Sequence, residues 1–307
     1  MMNLTEHLPG KKISIISVNY NQPTVTLQLL DSIFTTNTYP NIEIIIVDNG
    51  SSENFIPIWK DRYPQVKFIQ SEVNLGFAGG NNLGIKAADG DYLFLVNNDT
   101  EFTPGLLETL SATFQDFPDT GIVCPKINYF DPPRKIQYVG FTELSPITAR
   151  NQCLGQFEDD KGQYDNSVFI TAFAHGAAMM VSGEVCKQTG LMAENFFLYY
   201  EEMDWSLNIR KAGFKIRVNT AARIYHKESV SVGTDSPLKI YYMNRNRILL
   251  VRKHFDFYKR ILFCFYFGLI VFPRNFLKFL ISGKLKHISA MFRAVYWNLS
   301  NGTHSFQ

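Results

Sequence analysis

The chain has 307 residues, of which 46% are hydrophobic and 19% charged, a globular composition that excludes disorder and leaves room for one large domain or two. Its four cysteines, Cys124, Cys153, Cys186 and Cys264, are widely spaced with no CxxC pair, which argues against a disulfide framework or a metal finger. The net charge of +2 conceals a split: residues 252–307 hold nine Lys/Arg against one acid, whereas residues 1–251 hold 21 against 27.

The opening MMNLTEHLPGKK carries no apolar run, so no signal peptide is expected and the cysteines are expected reduced in the cytoplasm. KISIISV then reads as a strand, and QPTVTLQLLDSIFTT as a helix with proline near its start. IEIIIVD is a second strand, continuous in Ile and Val as expected of a strand covered on both faces. VKFIQS is a third strand, GGNNLGIKAADG a short helix, YLFLVN a strand, TPGLLETLSATFQDF a helix and GIVCPKI another strand. This alternation predicts an α/β fold with a mostly parallel, doubly wound sheet, whose ligands gather at the carboxyl ends of its strands.

Residues 129–170 lose the rhythm and read as an irregular insertion rich in Pro, Gly, Asp and Gln. VFITAFAHGAAMMVS is expected to pack under the sheet, and the helix within FFLYYEEMDWSLNIRKAGF is expected to stop at Gly213. Beyond Asp235 the pattern is helical. The apolar run ILFCFYFGLIVF, residues 261–272, is shorter than the roughly 20 residues of a spanning helix and is expected to end at Pro273 and Arg274. The following NFLKFLISGKLKHISAMFRAVYW is basic, aromatic and amphipathic, as suits a membrane surface or a protein interface.

Polar residues cluster at the strand ends. Asn97 and Asp99, at the end of YLFLVNND, put an amide and a carboxylate where they suit a hard divalent cation, although a simple polar turn has the same composition. Asp48 ends the second strand, and Asn49 to Ser52 make a tight turn and a helix start. In EVNLGFAGGNN, glycines 76, 79 and 80 permit close backbone approach, and Asn81 or Asn82 opens a helix whose N-terminus favours an anion. Glu201, Glu202 and Asp204 crowd the start of a helix, where clustered acids raise each other's pKa and suit a general base. A lone His226 follows a short strand.

Six stretches taken in order (VNYN, VDNGSSE, NLGFAGGNN, LVNNDTEF, FFLYYEEMDW with RKAGF, and IYHKESVS) resemble the family 2 inverting glycosyltransferases of GT-A fold, in particular a bacterial rhamnosyltransferase-like branch. The resemblance implies a catalytic domain over residues 1–250 and a basic, aromatic, helical region over 251–307. It implies a metal site, Mg²⁺ or Mn²⁺, at Asp99 with Asn97 and His226. It further implies a nucleotide site at Ser17, Val18, Asn19, Asp48, Asn49, Asn74, Gly79, Asn82 and Asn98. The branch usually carries EDxD, with the second acid as catalytic base. Here the acids read Glu201–Glu202–Met203–Asp204, so Glu202 takes the base position, with Asp204 second and Glu201 as an orienting acid.

The implied reaction moves a sugar from a nucleotide-diphosphate sugar, dTDP-rhamnose or a UDP-sugar, to a glycan acceptor on a polyprenyl-diphosphate carrier at the inner face of the membrane, in surface-polysaccharide synthesis. No nucleic-acid partner is expected. Two other readings compete. A sugar-nucleotide pyrophosphorylase needs a Gly-rich basic loop after the first strand, which SVNYNQP lacks. A degenerate scaffold in a polysaccharide assembly complex would keep the fold without the chemistry.

Overall fold

The computed structural model describes residues 10–132, 134–228 and 236–305. The last three residues of IYHKESVS lie outside the described residues.

The strands and helices follow the expected alternation through the first half. β1 (Ile13–Asn19), α1 (Pro23–Thr36), β2 (Ile42–Asn49), α2 (Ile56–Arg62), β3 (Lys67–Ser71), α3 (Gly76–Ala87) and β4 (Tyr92–Val96) lay down a parallel block in the order β3-β2-β1-β4. Ile13, Ile15, Ile16, Ile45, Ile46, Val47 and Phe94 are buried, because helices cover both faces of these strands.

A short β5 (Thr100–Phe102) follows directly, then α4 (Leu106–Asp116) and the long β6 (Thr120–Tyr129). The 129–170 insertion contains little regular structure beyond β7 (Ile136–Tyr138), an antiparallel partner of β6. It is anchored through Lys126, fully buried on β6, whose ammonium pairs with Asp160 at 2.9 Å and also with Asp165.

VFITAFAHGAAMMVS does not pack under the sheet; it enters it. β8 (Val168–Thr171) pairs with β10, and β9 (Ala178–Ser182) lies between β4 and β6, antiparallel to both. Its small and unbranched residues fit a strand buried on both faces as well as they fit a helix packed on the sheet. After α5 (Gly183–Thr189) and a single 3-10 turn (Glu194–Phe196), α6 (Glu201–Lys211) ends before Gly213, whose φ of 97° stops it as expected. β10 (Lys215–His226) then joins β6 in parallel and β5 in antiparallel pairing, completing a ten-stranded sheet.

The C-terminal helices are α7 (Pro237–His254), α8 (Phe257–Tyr266), α9 (Phe272–Ile281) and α10 (Leu285–Ser300). The expected division at 250/251 falls inside α7. Nor does the helix after it stop at Pro273: α8 and α9 join through a widened π turn at Phe267–Val271 into one helix, Phe257–Ile281. That turn passes the Phe272 N–H back to Phe267 O, and Pro273 takes a first-turn position of α9, where no N–H is required. The joined helix has 25 residues and is long and apolar enough to cross a membrane by length and composition alone.

Candidate active site

The carboxyl ends of β1, β2 and β4 open on a cleft of about 460 Å³. Its walls include Val18, Asn49, Asn74, Asn81, Asn97, Asn98, Asp99 and His226, and the facing side is formed by Phe197, Leu198 and Tyr199. Residues from both halves of the chain, as far apart as Val18 and His226, thus converge where a parallel sheet places ligands.

The strand register explains why YLFLV runs into Asn97, Asn98 and Asp99. β5 pairs with β10 so that His226 lies opposite Thr100, which brings the imidazole beside the preceding residue. His226 Nε2 sits 3.0 Å from Asp99 Oδ1, and Asn97 Nδ2 lies 3.5 Å from the same ring nitrogen. The main-chain carbonyl of Asp99 accepts from the Lys227 N–H at 2.8 Å, fixing the turn independently of the side chain. Among the described residues no group of three or more His, Cys, Asp or Glu side chains converges on one point. One carboxylate, one imidazole and a neighbouring amide nevertheless fit a Mg²⁺ or Mn²⁺, for which oxygen and imidazole donors are suited.

A residue the sequence reading missed orients this group. Gln137 on β7, buried within the insertion, places its Oε1 2.8 Å from His226 Nδ1. Accepting from Nδ1–H keeps the proton there and leaves the Nε2 lone pair facing Asp99. Gln137→Leu is therefore expected to weaken Mn²⁺ binding about 10–100-fold, read by calorimetric titration, with little change in fold. Nothing in the irregular insertion singled this residue out.

The nucleotide-site candidates divide into two groups. Asn49, Asn74 and Asn98 line the cleft with Val18. Asn49 Nδ2 donates to Asn74 Oδ1 and Gly76 O, while its own Oδ1 accepts from Leu75 N–H, so β2 is tied to the start of α3. Asp48 and Asn19 stand behind this wall, fully buried. Asn19 Nδ2 donates to Asp48 Oδ2 at 2.8 Å, and Asp48 Oδ1 accepts from Gln70 Nε2 at 3.0 Å and Ser51 N–H at 2.9 Å. Ser17 is also fully buried, with no hydrogen-bond partner for its hydroxyl.

Gly79 and Asn82 do not reach the cleft. α3 opens at Gly76, not at the asparagines, so Asn81 and Asn82 sit within the helix about 100° apart. Asn81 faces the cleft, while Asn82 hydrogen-bonds both main-chain groups of Met192 and lines a separate cavity. A Cβ at Gly79 would lie 2.6 Å from Leu75 Cβ, so that glycine answers to packing. Gly76 is required because a Cβ there would lie 2.2 Å from Phe197 O. The helix expected at Ser51–Ser52 begins only at Ile56. Both hydroxyl groups instead bond Asn19 and Asn21 across the loop.

The three acids at the start of α6 have separate surroundings. Glu202 is half-buried beside Phe77 and Gly176, its Cγ 4.0 Å from where a Gly176 Cβ would lie. Burial raises its carboxyl to about 7. Glu201 is buried more deeply, and burial together with the charge of Glu202 holds its carboxyl well above the usual range. Asp204 goes the other way. Although burial opposes its charge, its carboxylate is held below the usual range by the His254 hydrogen bond at 2.7 Å and Lys253 at 2.8 Å. It fastens α6 to the end of α7.

The turn that launches α6 is strained. Phe197, Tyr199 and Tyr200 have φ of 64°, 70° and 75°, left-handed values that cost non-glycine residues about 1–3 kcal/mol each.

Glu201, Glu202 and Asp204 do not themselves line the cleft; they follow the Phe197–Tyr199 wall in the chain. A mixed sheet with a parallel nucleotide-side block, a strand-end polar turn facing a histidine and an acid pair just behind the opposite wall define a glycosyltransferase of GT-A fold. The family model for glycosyl transferase family 2 matches residues 14–181, more than half of the chain, which therefore belongs to that family. It is 24% identical over 254 residues to the N-acetylglucosaminyl-diphospho-decaprenol L-rhamnosyltransferase of Mycobacterium tuberculosis, covering 76% of this chain and 80% of that protein. It is 26% identical over 243 residues to the low-salt glycan biosynthesis hexosyltransferase Agl10 of Haloferax volcanii, covering 77% and 74%.

Among solved structures, GalNAc-T7 with UDP, GalNAc and Mn²⁺ superposes with a TM-score of 0.66 at 16% identity. That match covers 83% of this chain and 49% of GalNAc-T7, so the chain spans about half of that protein's length. Residues 1–349 of S. aureus TarS with UDP-GlcNAc match at a TM-score of 0.57 and 18% identity, covering 92% of this chain and 81% of TarS 1–349. The mannosyltransferase PcManGT of Pyrobaculum calidifontis with GDP-Man and Mn²⁺ matches at 0.56 and 13%, covering 95% and 76%. These structural likenesses carry the fold alone.

Proposed function

We propose that the protein is an inverting, metal-dependent glycosyltransferase of glycan biosynthesis, using a nucleotide-diphosphate sugar, dTDP-rhamnose first and UDP-sugars next. The observation that carries this is the pairing of Asp99 and His226 at 3.0 Å on a cleft whose opposite side launches a carboxyl raised to about 7. The nucleotide lies along Val18, Asn49, Asn74 and Asn98, with Asn19 and Asp48 stiffening the wall behind them. Asp99, His226 and Asn97 would hold Mg²⁺ or Mn²⁺, which would supply charge neutralisation at the departing diphosphate.

Glu202 is the base. Its carboxylate takes the proton from the acceptor hydroxyl as that oxygen bonds the anomeric carbon and the bond to the nucleoside diphosphate breaks. Attack opposite the leaving group inverts the configuration. Glu201, buried beside it with its carboxyl held well above the usual range, is the orienting acid, while Asp204 anchors the helix through Lys253 and His254.

The rhamnosyltransferase relative acts on a decaprenyl-diphosphate-linked sugar by name, and a polyprenyl-diphosphate glycan is the acceptor proposed here. The C-terminal helices favour a peripheral place at the inner face of the membrane. Phe263, Phe267 and Val271 bury one face of Phe257–Ile281 against Ala149 and Val251. Phe257, Tyr258, Phe265, Leu269 and Ile281 stay exposed on the other side. A helix docked along the body in this way lies on a bilayer more readily than it spans one. Full-length protein is expected to sediment with phosphatidylglycerol vesicles at low salt, and much less with phosphatidylcholine or at high salt. Equal binding to both lipids would remove the electrostatic part of this assignment.

The transfer itself is tested by incubating protein, Mn²⁺ and labelled nucleotide sugars with a bacterial lipid extract. Label entering an acid-labile, organic-soluble product with inverted anomeric configuration supports the reading, and a retained configuration contradicts it.

A further inference from the structure

The turn Phe197–Tyr200 forms one side of the cleft and launches α6, yet three of its four residues are aromatic side chains in left-handed backbone and none is glycine. It has one short internal bond, Leu198 N–H to Phe196 O at 2.7 Å, so most of its conformation has to be imposed from outside. The partners of its main-chain carbonyls show how. The Asn195 carbonyl accepts from the Arg245 guanidinium, and the Phe197 carbonyl accepts from Phe77 N–H at 2.6 Å. The carbonyls of Phe196, Leu198 and Tyr199 all face one atom, Asn246 Nδ2, each at 2.8 Å.

Asn246 is fully buried in the middle of α7. Three carbonyl oxygens around one side-chain nitrogen dictate the amide orientation, since a flipped amide would set oxygen against oxygen. Its neighbour Arg245 is equally buried, with its guanidinium carbon 4.1 Å from the Trp297 ring centroid, which ties α7 to α10 behind the clamp. The arrangement therefore links the C-terminal helices to the segment bearing the candidate base.

We propose that Asn246 is a positioning residue for the transfer reaction: its amide nitrogen holds the Phe197–Tyr200 turn in its left-handed conformation and so fixes the position of Glu202, two residues beyond that turn. This rests on the reading of Glu202 as the base, but it is tested without substrate. The titratable groups beside Glu202 are Glu201 on the same helix and Tyr200 in the turn, whose charged neighbours include Arg150 and Arg247. All four are retained in each variant.

The first readout is hydrogen exchange of the full-length protein. In Asn246→Asp, which keeps the shape but leaves at most one donor in place of two, amides of residues 197–203 are expected to exchange at least about tenfold faster, while those of β1, β2 and β4 are unchanged. The second is a pair of melting curves against pH. Wild type is expected to lose stability relative to Glu202→Gln as pH rises towards 7. That gap is expected to close in the Asn246→Asp background, because a relaxed turn returns water to the Glu202 carboxylate. Packing alone would leave the gap in place.

Unchanged exchange at residues 197–203 overturns the clamp, and faster exchange with an unchanged pH gap overturns the link to Glu202. Asn246→Ala removes the donors without adding a charge and serves if the aspartate variant does not fold. In the unmodified protein, the Asn246 side-chain amide protons are expected to exchange as slowly as core backbone amides, and rapid exchange there overturns the proposal. Loss of transfer in Glu202→Gln is a separate matter, so failure of the base assignment is distinguishable from failure of the clamp.

Discussion

Glu202→Gln is expected to lower turnover by about 10²–10⁴-fold while leaving donor affinity within a few-fold, because the amide fills the same space but cannot accept the acceptor's proton. The accompanying pH dependence has a definite sign. With the carboxyl at about 7, the proposed base is expected to be competent above that pH, and turnover to fall about tenfold per unit below it. Stability runs in the opposite direction. A carboxyl raised from 4.5 to about 7 on folding binds more protons in the folded state, so the native protein loses stability as pH rises across that window. Glu202→Gln should therefore melt higher than wild type above about pH 7, by up to about 3 kcal/mol. A variant that is both inactive and more stable is the mark of a strained catalytic group. Equal activity with Asp204→Asn as the inactive variant would move the base to Asp204.

Asp99→Ala is the second large effect. It removes the carboxylate of the proposed cation site and leaves His226 with an amide neighbour, too few strong donors for Mg²⁺ or Mn²⁺. Mn²⁺-dependent binding of a nucleotide sugar is expected to weaken by more than about 100-fold, beyond the loss typical of outer-shell substitutions. The fold should persist, since the Asp99 carbonyl and Thr100 hydroxyl hold the turn through Lys227 N–H and Asn97 O. Calorimetric titration of the donor with and without Mn²⁺, alongside a melting curve, separates loss of the cation from loss of the fold.

Much of the fold was legible because its first half obeys simple rules. The continuous Ile and Val of β2 announce a strand covered on both faces, and helix bounds follow from the proline near the start of α1 and the Gly213 stop. β9 was hidden because Ala178–Ser182 carries little β-branched signal, and its place at the centre of the sheet follows from antiparallel pairing with distant strands. The helix through Pro273 was hidden for a local reason: a π turn absorbs the missing N–H, and nothing in the apolar run marks where one forms.

The site was legible where motifs lie at strand ends. Asp99, Asn97 and His226 meet as expected, although only the β5–β10 register explains why. Roles that depend on side-chain direction were not legible. Asn82 turns towards Met192 while its neighbour Asn81 faces the cleft, and Asp204 points at Lys253 and His254, some fifty residues away. Gln137 and Asn246 act through other residues and carry no motif. The one trace of Asn246 is its pairing with Arg245 on the face of α7 that also carries Tyr242 and Leu249, an amphipathic helix with polar residues on its buried side.

The most direct measurement is calorimetric binding of a panel of nucleotide sugars, dTDP-rhamnose, UDP-N-acetylglucosamine, UDP-galactose and GDP-mannose, to the full-length protein with Mn²⁺ and again with EDTA. Saturable binding of one donor that depends on Mn²⁺ is the predicted result and names the substrate. Donor binding unaffected by EDTA would contradict the metal site at Asp99 and His226. A protein that binds no nucleotide sugar in Mn²⁺ would contradict the enzymatic reading and turn the chain towards a scaffold in a polysaccharide assembly.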